Sequence, residues 1–364
     1  MEKRNLFSLL TLLVAVFLTI PLTASITKKL VSKIGSKVSK DFSVNLPNLI
    51  TQSHKKLPIV YHDNYDISFW KLEKLHPFDT QKYSKVYHYL QFNMELAADC
   101  FYKPEPVSEN DLLLAHSPEY LDSLNQSINV ARIAEVFPLK FVPNFLLQRN
   151  LLTPMKYATG GTILGAQLAL EYGWAINLSG GYHHAKRNSG EGFCFFADIP
   201  IAIQKLWKKK PNLKVMIIDL DAHQGNGVES ILKNDKRIHI VDLFNADIYP
   251  QDIQAAQYIK TKLPVHCGIT NEPYLSTLKS GLSNALNKFT PDLIIYNAGT
   301  DIFKEDPLGR MSITQEGIIE RDQFVFNTAQ KQNIPILMVL SGGYAPESAH
   351  IISKSVEKII ASRI

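Results

Sequence analysis

The chain has 364 residues, of which 45% are hydrophobic and 20% charged, a composition typical of a globular protein. The formal net charge is +5, but residues 1–40 alone carry +6, which leaves about −1 for residues 41–364. A nucleic-acid groove needs a basic patch on the folded body, and this balance does not provide one. The three cysteines form no close pair, so no disulfide framework is expected. These features predict a globular body that does not bind nucleic acid directly.

Residues 1–25 are predicted to be a signal peptide or a membrane anchor. Lys3 and Arg4 precede an apolar run that spans 19 residues when it is counted from Leu6 through Ala24. A short basic start and an apolar core are typical of a secretory signal, whereas a run of this length also suffices for one membrane span. We therefore expect an anchored or exported chain that contacts a membrane through residues 6–24. The flanking charges leave open whether the body lies on the cytoplasmic or the external side.

Residues 26–53 are rich in lysine and serine and are predicted to be a basic linker, followed by one folded domain over 54–364. In this domain, β-branched apolar runs alternate with helical patterns, which predicts an α/β fold with a mostly parallel central sheet and helices on both faces. Strands are predicted at 57–61, 175–178, 215–220, 238–243, 262–265, 293–297 and 336–340. Helices are predicted at 80–95, 160–172, 274–288, 314–331 and 347–360, and from Ser117-Pro118 onward. The period of residues 129–151 is irregular and predicts no element.

Polar side chains and glycines follow four of the predicted strands. They are His183 and His184 after 175–178, Asp219, Asp221 and His223 at the end of 215–220, Asp301 after 293–297, and Tyr344 after 336–340. An isolated Asp-x-Asp-x-His could equally be an acidic turn. Ligands of open α/β sheets bind at the carboxyl ends of the strands, so four such ends are expected to converge on one site.

The chemistry of this set predicts a metal-dependent hydrolase. Asp221, His223 and Asp301 supply three protein ligands, which is the arrangement of a catalytic zinc that stays open to water and substrate. Such a metal acidifies water and polarises a carbonyl group. The paired histidines can transfer protons, and Tyr344 can donate a hydrogen bond to an oxyanion. Hydrolysis of an amide or ester fits these parts, and the sequence has no phosphate-binding loop or dinucleotide fingerprint.

These segments resemble the histone deacetylase family in their order and spacing. The matching motifs are GGYHHA at 180–185, GFC at 192–194, IDLDAHQGNG at 218–227, YNAGTD at 296–301 and SGGY at 341–344. Residues 57–79, 248–250 and 336–344 are most similar to the class IV branch. The resemblance covers roughly residues 55–360. It implies the arginase/deacetylase fold, with 54–364 as the catalytic domain, and hydrolysis of N-acyl-lysine in a protein or peptide.

The resemblance also implies a metal centre. Asp221, His223 and Asp301 would bind Zn²⁺. Asp219 would orient His183 and would also help to bind a K⁺ ion behind the zinc.

The remaining matches imply roles in proton transfer and substrate binding. His184 would be the general base and then the acid, with His183 as its electrostatic partner, and Tyr344 would hold the oxyanion. Asn226 stands beside His184 where class I relatives have an aspartate, which should lower the proton affinity of the histidine. The residues implied in substrate binding are Phe193, as a wall of the acyl-lysine tunnel, Gly192 and Gly343.

Several alternatives remain open at this stage. The acyl group could be acetyl or a long fatty chain, and the substrate could be an acylated polyamine or another small amide on the same fold. A non-catalytic acyl-lysine binder is a further hypothesis, although the full catalytic set argues against it.

Overall fold

The computed structural model describes residues 56–68 and 78–363, which contain a seven-stranded sheet. The strands are β1 Ile59–Val60, β2 Trp174–Asn177, β3 Val215–Asp219, β4 Ile238–Asn245, β5 Thr261–Val265, β6 Leu293–Asn297 and β7 Ile336–Val339. Their order is β1-β2-β7-β6-β3-β4-β5, and every neighbouring pair is parallel. The predicted α/β domain with a mostly parallel sheet is therefore confirmed.

Helices connect the strands. They are α1 Lys82–Asn93, α2 Glu109–Leu112, α3 Pro118–Ser123, α4 Ser127–Ile133, α5 Asn144–Leu147, α6 Thr153–Tyr172, α7 Asp198–Trp207, α8 Asn226–Ile231, α9 Ile253–Ala256, α10 Asn271–Lys288, α11 Gln315–Lys331 and α12 Ser348–Ala361. Parallel strands need such crossovers, because the chain must return to the same end of the sheet before each new strand.

Strand β3 lies in the interior of the sheet between β6 and β4, and its five residues are all buried. Successive side chains of a strand point to opposite faces. Accordingly Met216 and Ile218 pack in one apolar cluster, and Val215 and Ile217 pack in a second. The period of two therefore divides the core between the two faces of the sheet and directs the polar residues after β3 to its carboxyl edge.

A local signal in the sequence explains where helix α3 begins. Ser117 caps α3, with its hydroxyl accepting a hydrogen bond from the Tyr120 amide, and Pro118 occupies the first turn as predicted.

Helix α6 begins at Thr153, earlier than predicted. The irregular residues 129–151 contain short helices, a 3₁₀ turn and the start of a π turn, whose mixed periods explain why no element was predicted there.

The structure corrects one prediction. No helix within 56–68 and 78–363 is long and apolar enough to cross a membrane. Helix α6 has 20 residues, but it includes Lys156 and Glu171 and packs into the core. The apolar run at 6–24 and the predicted linker at 26–53 lie outside the described residues. The predicted signal or transmembrane segment is therefore not retained, and neither is the membrane-anchored or exported localisation that was derived from it.

The core position of β3 gives a stability prediction. Ile217→Ala should lower the free energy of unfolding by about 2–5 kcal/mol, because Ile217 is completely buried and its truncation leaves a cavity. Urea denaturation followed by circular dichroism measures this change. The matched control is Ile253→Ala at a side chain that is 86% exposed, for which we expect a change within about 0.5 kcal/mol. Equal losses in the two variants would contradict the prediction.

Candidate active site

A cavity of about 510 Å³ opens at the carboxyl edge of the sheet. Its lining includes His184, His223 and Tyr344, each from a loop that follows a different strand, together with Gly192 and Tyr249. A second cavity of about 30 Å³ adjoins it, since His184, Gly192 and Tyr344 line both. The predicted convergence of the strand ends thus produces one large opening and one small inner chamber.

Three buried side chains meet beside the larger cavity. Asp221, His223 and Asp301 each offer one ligand atom, and these atoms lie within 4.8 Å of one another. The Nδ1 atom of His223 is 3.1 Å from Asp221 Oδ1 and 2.9 Å from Asp301 Oδ2. The main-chain amide of Ala222 donates to Asp301 Oδ1 at 2.8 Å, which joins the two loops. The pairing of β3 with β6 brings these residues together across 80 positions of sequence.

The electrostatics of this cluster favour positive charge. Burial raises the pKa of Asp301, and the neighbouring Asp221 carboxylate adds to the effect, so that the pKa reaches about 7. Burial alone would lower the pKa of His223, but the two carboxylates outweigh it and raise the pKa to about 10. Because like charges in a buried site repel each other, a cation between Asp221 and Asp301 would relieve the cost. The donor set therefore fits a divalent metal ion.

His183 carries positive charge in this arrangement. Its Nδ1 lies 2.9 Å from Asp219 Oδ2 and donates to it, because a carboxylate can only accept. Asp219 is held in turn by Asn297, whose amide donates to Oδ1 at 2.9 Å. Burial lowers the pKa of His183, but Asp219 and Asp221 overcome this and raise it to about 9.

The pKa of His184 is shifted in the opposite direction to that of His183. Its Nδ1 lies 2.8 Å from Asn226 Oδ1, and the Asn226 amide donates to Glu191 Oε1 at 2.7 Å. This orientation of Asn226 makes Nδ1 the donor and leaves Nε2 of His184 as an acceptor. Burial lowers the pKa of His184, and the positive charges of His183 and His223 lower it further. The two adjacent histidines therefore differ in charge at neutral pH.

Tyr344 lines both cavities, as does His184. Asp306 holds its loop by accepting the Tyr344 amide at 2.7 Å. Burial raises the pKa of the Tyr344 hydroxyl well above its ordinary value, and Asp221 adds to the shift, so the hydroxyl keeps its proton at neutral pH. The ring centroid lies 6.3 Å from that of His223. Tyr344 can therefore act as a hydrogen-bond donor within the site.

Aromatic rings form the walls of the opening. The Phe193 ring lies 5.0 Å from Phe78 and lines the inner cavity, and the Tyr249 ring lies 5.0 Å from His184. Gly192 has a φ of +55°, and a Cβ there would come within 2.7 Å of His184 Cδ2. A side chain at this position would therefore press on the imidazole ring.

The predicted substrate-binding residues do not all face a cavity. Gly343 has a φ of +135°, and a Cβ there would lie 2.1 Å from Thr300 Oγ1. Among the described residues, the lining of the inner cavity includes Gly342 and not Gly343. The requirement for glycine at 343 follows from its positive φ and from the close approach of the Thr300 side chain, and its predicted role in substrate binding stays a prediction.

Sequence reasoning missed several residues that support the site. Tyr249 lies in a segment that was noted for its resemblance, yet no role was assigned to it. Ser341 donates from its hydroxyl to Asp221 Oδ2 at 2.8 Å. Glu191 accepts from the Asn226 side-chain amide, and Asp306 accepts from the Tyr344 main-chain amide. Lys82, buried on α1, donates to the Ser341 carbonyl at 2.6 Å. No signal in the sequence could have placed Lys82 here, because its contact spans 259 positions.

The sequence is similar to known proteins over most of its length. A family model described as the histone deacetylase domain matches residues 76–361. Histone deacetylase 2 of Arabidopsis thaliana is 47% identical over 304 residues, which cover 84% of this chain and 79% of that protein. An uncharacterised protein of Picosynechococcus is 31% identical and covers 79% of this chain and 92% of its own length.

A solved structure shows the same fold. The crystal structure of the HDA15 HD domain superposes with a TM-score of 0.67 at 19% identity, covering 84% of this chain and 88% of that one. The family match extends over most of the chain and includes all the strand-end residues described above. The chain therefore belongs to the histone deacetylase family.

Proposed function

We propose that this protein hydrolyses the side-chain amide of N-acyl-lysine in proteins or peptides, with Zn²⁺ as its cofactor. The observation that carries the proposal is a pair of adjacent buried histidines, one held by Asp219 and the other by Asn226, which lies with Tyr344 beside a buried Asp-His-Asp cluster. Family membership supports the reaction class, since curated relatives bear the name histone deacetylase. We also assign the chain to the class IV branch, on the motifs it resembles.

The proposed zinc ligands are Asp221, His223 and Asp301. Two carboxylates and one imidazole suit zinc, and three protein ligands leave room for water and substrate. When bound, zinc supplies Lewis acidity, which lowers the pKa of a water molecule and polarises the acyl carbonyl.

The chain's own residues then move the protons. His184 is neutral, so its Nε2 accepts a proton from the attacking water. Tyr344 donates a hydrogen bond to the oxyanion that forms as the carbonyl carbon becomes tetrahedral. His184 next returns the proton to the lysine nitrogen, and the amine leaves. His183, held positive by Asp219, stabilises the negative charge that develops in the site. Asn226 orients His184 without adding a carboxylate that would raise its pKa.

A monovalent cation near Asp219 is part of the proposal. Asp219 pairs in register with Asp242 on β4, and the carboxyl group of Asp242 is buried. The side chains of Asp242 and Glu229 are buried as interacting neighbours, and the proximity of Asp219 and Glu229 raises the pKa of Asp242 beyond the effect of burial. Their carboxyl oxygens would suit a K⁺ ion behind the zinc site.

The sizes of the cavities favour a short acyl group. The inner cavity of about 30 Å³ is much smaller than the outer cavity of about 510 Å³, and a small cavity favours a short acyl group. A long fatty chain would require the side chains of Phe78 and Phe193 to move apart. We therefore propose deacetylation as the main activity, with long-chain deacylation as the competing outcome.

An acylated polyamine is the second candidate substrate. Glu135 and Asp247 line the larger cavity, and carboxylates at an opening attract a polycationic amine. Arg310 lines the same cavity and opposes this attraction. Peptide and polyamine are therefore separate arms of the substrate test below.

The histidine and tyrosine roles give the first functional prediction. His184→Ala and Tyr344→Phe should each lower kcat on an acetyl-lysine peptide by about 10²–10³-fold, because one removes the base and the other an oxyanion donor. Acetate release measures the rate. Tyr172→Phe is the matched control, since Tyr172 is exposed and its hydroxyl bonds to the Tyr102 hydroxyl, and it should retain full activity. Unchanged rates in both site variants would refute the mechanism.

The metal gives a second prediction. Removing metal with a chelator should abolish hydrolysis, and added Zn²⁺ should restore it. Asp301→Ala should bind less than one zinc per chain by elemental analysis, because one of three ligands is lost. Asp99→Ala, at an exposed carboxylate, should bind zinc like the natural chain. Full activity in the chelated protein would exclude zinc as the cofactor.

The choice of substrate gives a third prediction. Along a series of lysine peptides from acetyl to myristoyl, kcat/KM should fall as the acyl chain lengthens, because the inner cavity is small. N-acetylspermidine is measured alongside, and we expect a lower kcat/KM than for the acetyl peptide. A rise toward myristoyl would identify a long-chain deacylase, and a preference for spermidine would identify a polyamine amidohydrolase.

A further inference from the structure

Arg321 is a fully buried charged residue on α11 whose contacts lie beneath the metal-ligand cluster. Its guanidinium donates to the carbonyls of Gly299 at 2.6 Å, Leu220 at 3.1 Å and Ala298 at 3.4 Å. These carbonyls come from two different segments, one after β3 and one after β6. The buried guanidinium donates hydrogen bonds to all three carbonyls and so bridges the two segments.

The contacts of Arg321 with the two segments lie just beyond the last paired residues of β3 and β6. The last residue pair in the β3–β6 register is Asp219 with Asn297, and the Leu220 amide then donates to the Asn297 carbonyl at 3.0 Å. The carbonyls of Leu220 and Gly299 lie just past this point. Arg321 therefore continues the pairing of the two segments after the strand hydrogen bonds have stopped.

The bridged segments are the ones that carry the proposed zinc ligands. Leu220 is bonded directly to Asp221, and Gly299 lies two residues before Asp301. Gly299 also touches the opposite ligand, since a Cβ built on it would be 2.4 Å from Asp221 Oδ2. A displacement of Gly299 would therefore press on the Asp221 carboxylate. It would also displace the segment that leads to Asp301.

Asp322 balances the charge of Arg321 in the same buried environment. Its Oδ1 accepts from Arg321 Nε at 2.8 Å and from the Tyr296 hydroxyl, and its Oδ2 accepts from Ser355 Oγ. A lysine would keep the charge at 321, but a single ammonium lacks the planar fork that reaches several fixed acceptors. The geometry thus depends on the guanidinium itself.

We propose that Arg321 is a positioning residue that fixes the separation of Asp221 and Asp301 and so determines how tightly the site binds its metal. This inference rests on the proposed zinc site. It requires no particular acyl substrate, so metal binding can test it separately from hydrolysis.

The experiment compares Arg321→Lys with the natural chain. We expect the Zn²⁺ dissociation constant, measured by competition with a chromophoric chelator, to rise about 10–100-fold, which is typical when a residue that orients ligands is lost. The visible absorption spectrum of the Co²⁺-loaded protein should also change, because it reports ligand geometry. The thermal unfolding midpoint of the metal-free variant shows how far general stability has fallen.

Ser355→Ala is the matched control. It removes one hydrogen bond to Asp322 in the same buried network and leaves the three carbonyl contacts of Arg321 in place. We expect its metal-free midpoint to fall while the Zn²⁺ dissociation constant and the Co²⁺ spectrum stay unchanged. A purely structural role for the network would move both variants alike.

If Arg321→Lys does not fold, the double variant Arg321→Gln with Asp322→Asn takes its place, because it leaves no uncompensated buried charge. A folded variant whose Zn²⁺ dissociation constant is within twofold of the natural value would overturn the inference. So would failure of both variants to fold, since Arg321 would then serve the fold as a whole. A natural chain that binds Zn²⁺ but releases no acyl group would refute the proposed activity alone.

Discussion

Asp221 and Asp301 lie buried side by side at the ends of two adjacent parallel strands, and much of the surrounding structure compensates for their charge. The pKa of Asp301 is raised to about 7 because burial and its neighbour both oppose ionisation. Donors converge on the pair from three directions, through the Ala222 amide, the His223 ring and the Ser341 hydroxyl. A divalent cation would complete this compensation, which links the fold directly to the proposed chemistry.

The two adjacent histidines differ in pKa because their buried surroundings differ. Asp219 and Asp221 raise the pKa of His183 against the effect of burial, whereas burial and the charges of His183 and His223 lower the pKa of His184, whose partner Asn226 is neutral. The sequence places the two imidazoles next to each other, but their partners come from β3 and from the start of α8. The proposed base and the proposed electrostatic stabiliser are thus identical side chains whose surroundings differ.

Much of the fold could be predicted from local pattern. The β-branched run before Asp219 predicted a buried interior strand, and the alternation of strands with helices predicted the parallel sheet. The helix after Ser117 was predicted from its cap. The irregular residues 129–151 gave no prediction, because short helices and turns of mixed period leave no repeating apolar face. The apolar run at 6–24 illustrates the opposite risk, since composition alone suggested a membrane segment that the described structure does not support.

For the candidate site, the sequence by itself determined the chemical types of the groups and the strand ends on which they lie, because a period of two and the following glycines are local properties. Only the tertiary structure decided which strands are neighbours. Placing β6 beside β3 brings Asp301 to Asp221, and it also brings the guanidinium of Arg321 beneath both. The approach of Asp301 to Asp221 joins residues 80 positions apart, and the contact of Arg321 with Leu220 joins residues 101 positions apart. Both depend on sheet order and side-chain packing, which no local pattern encodes.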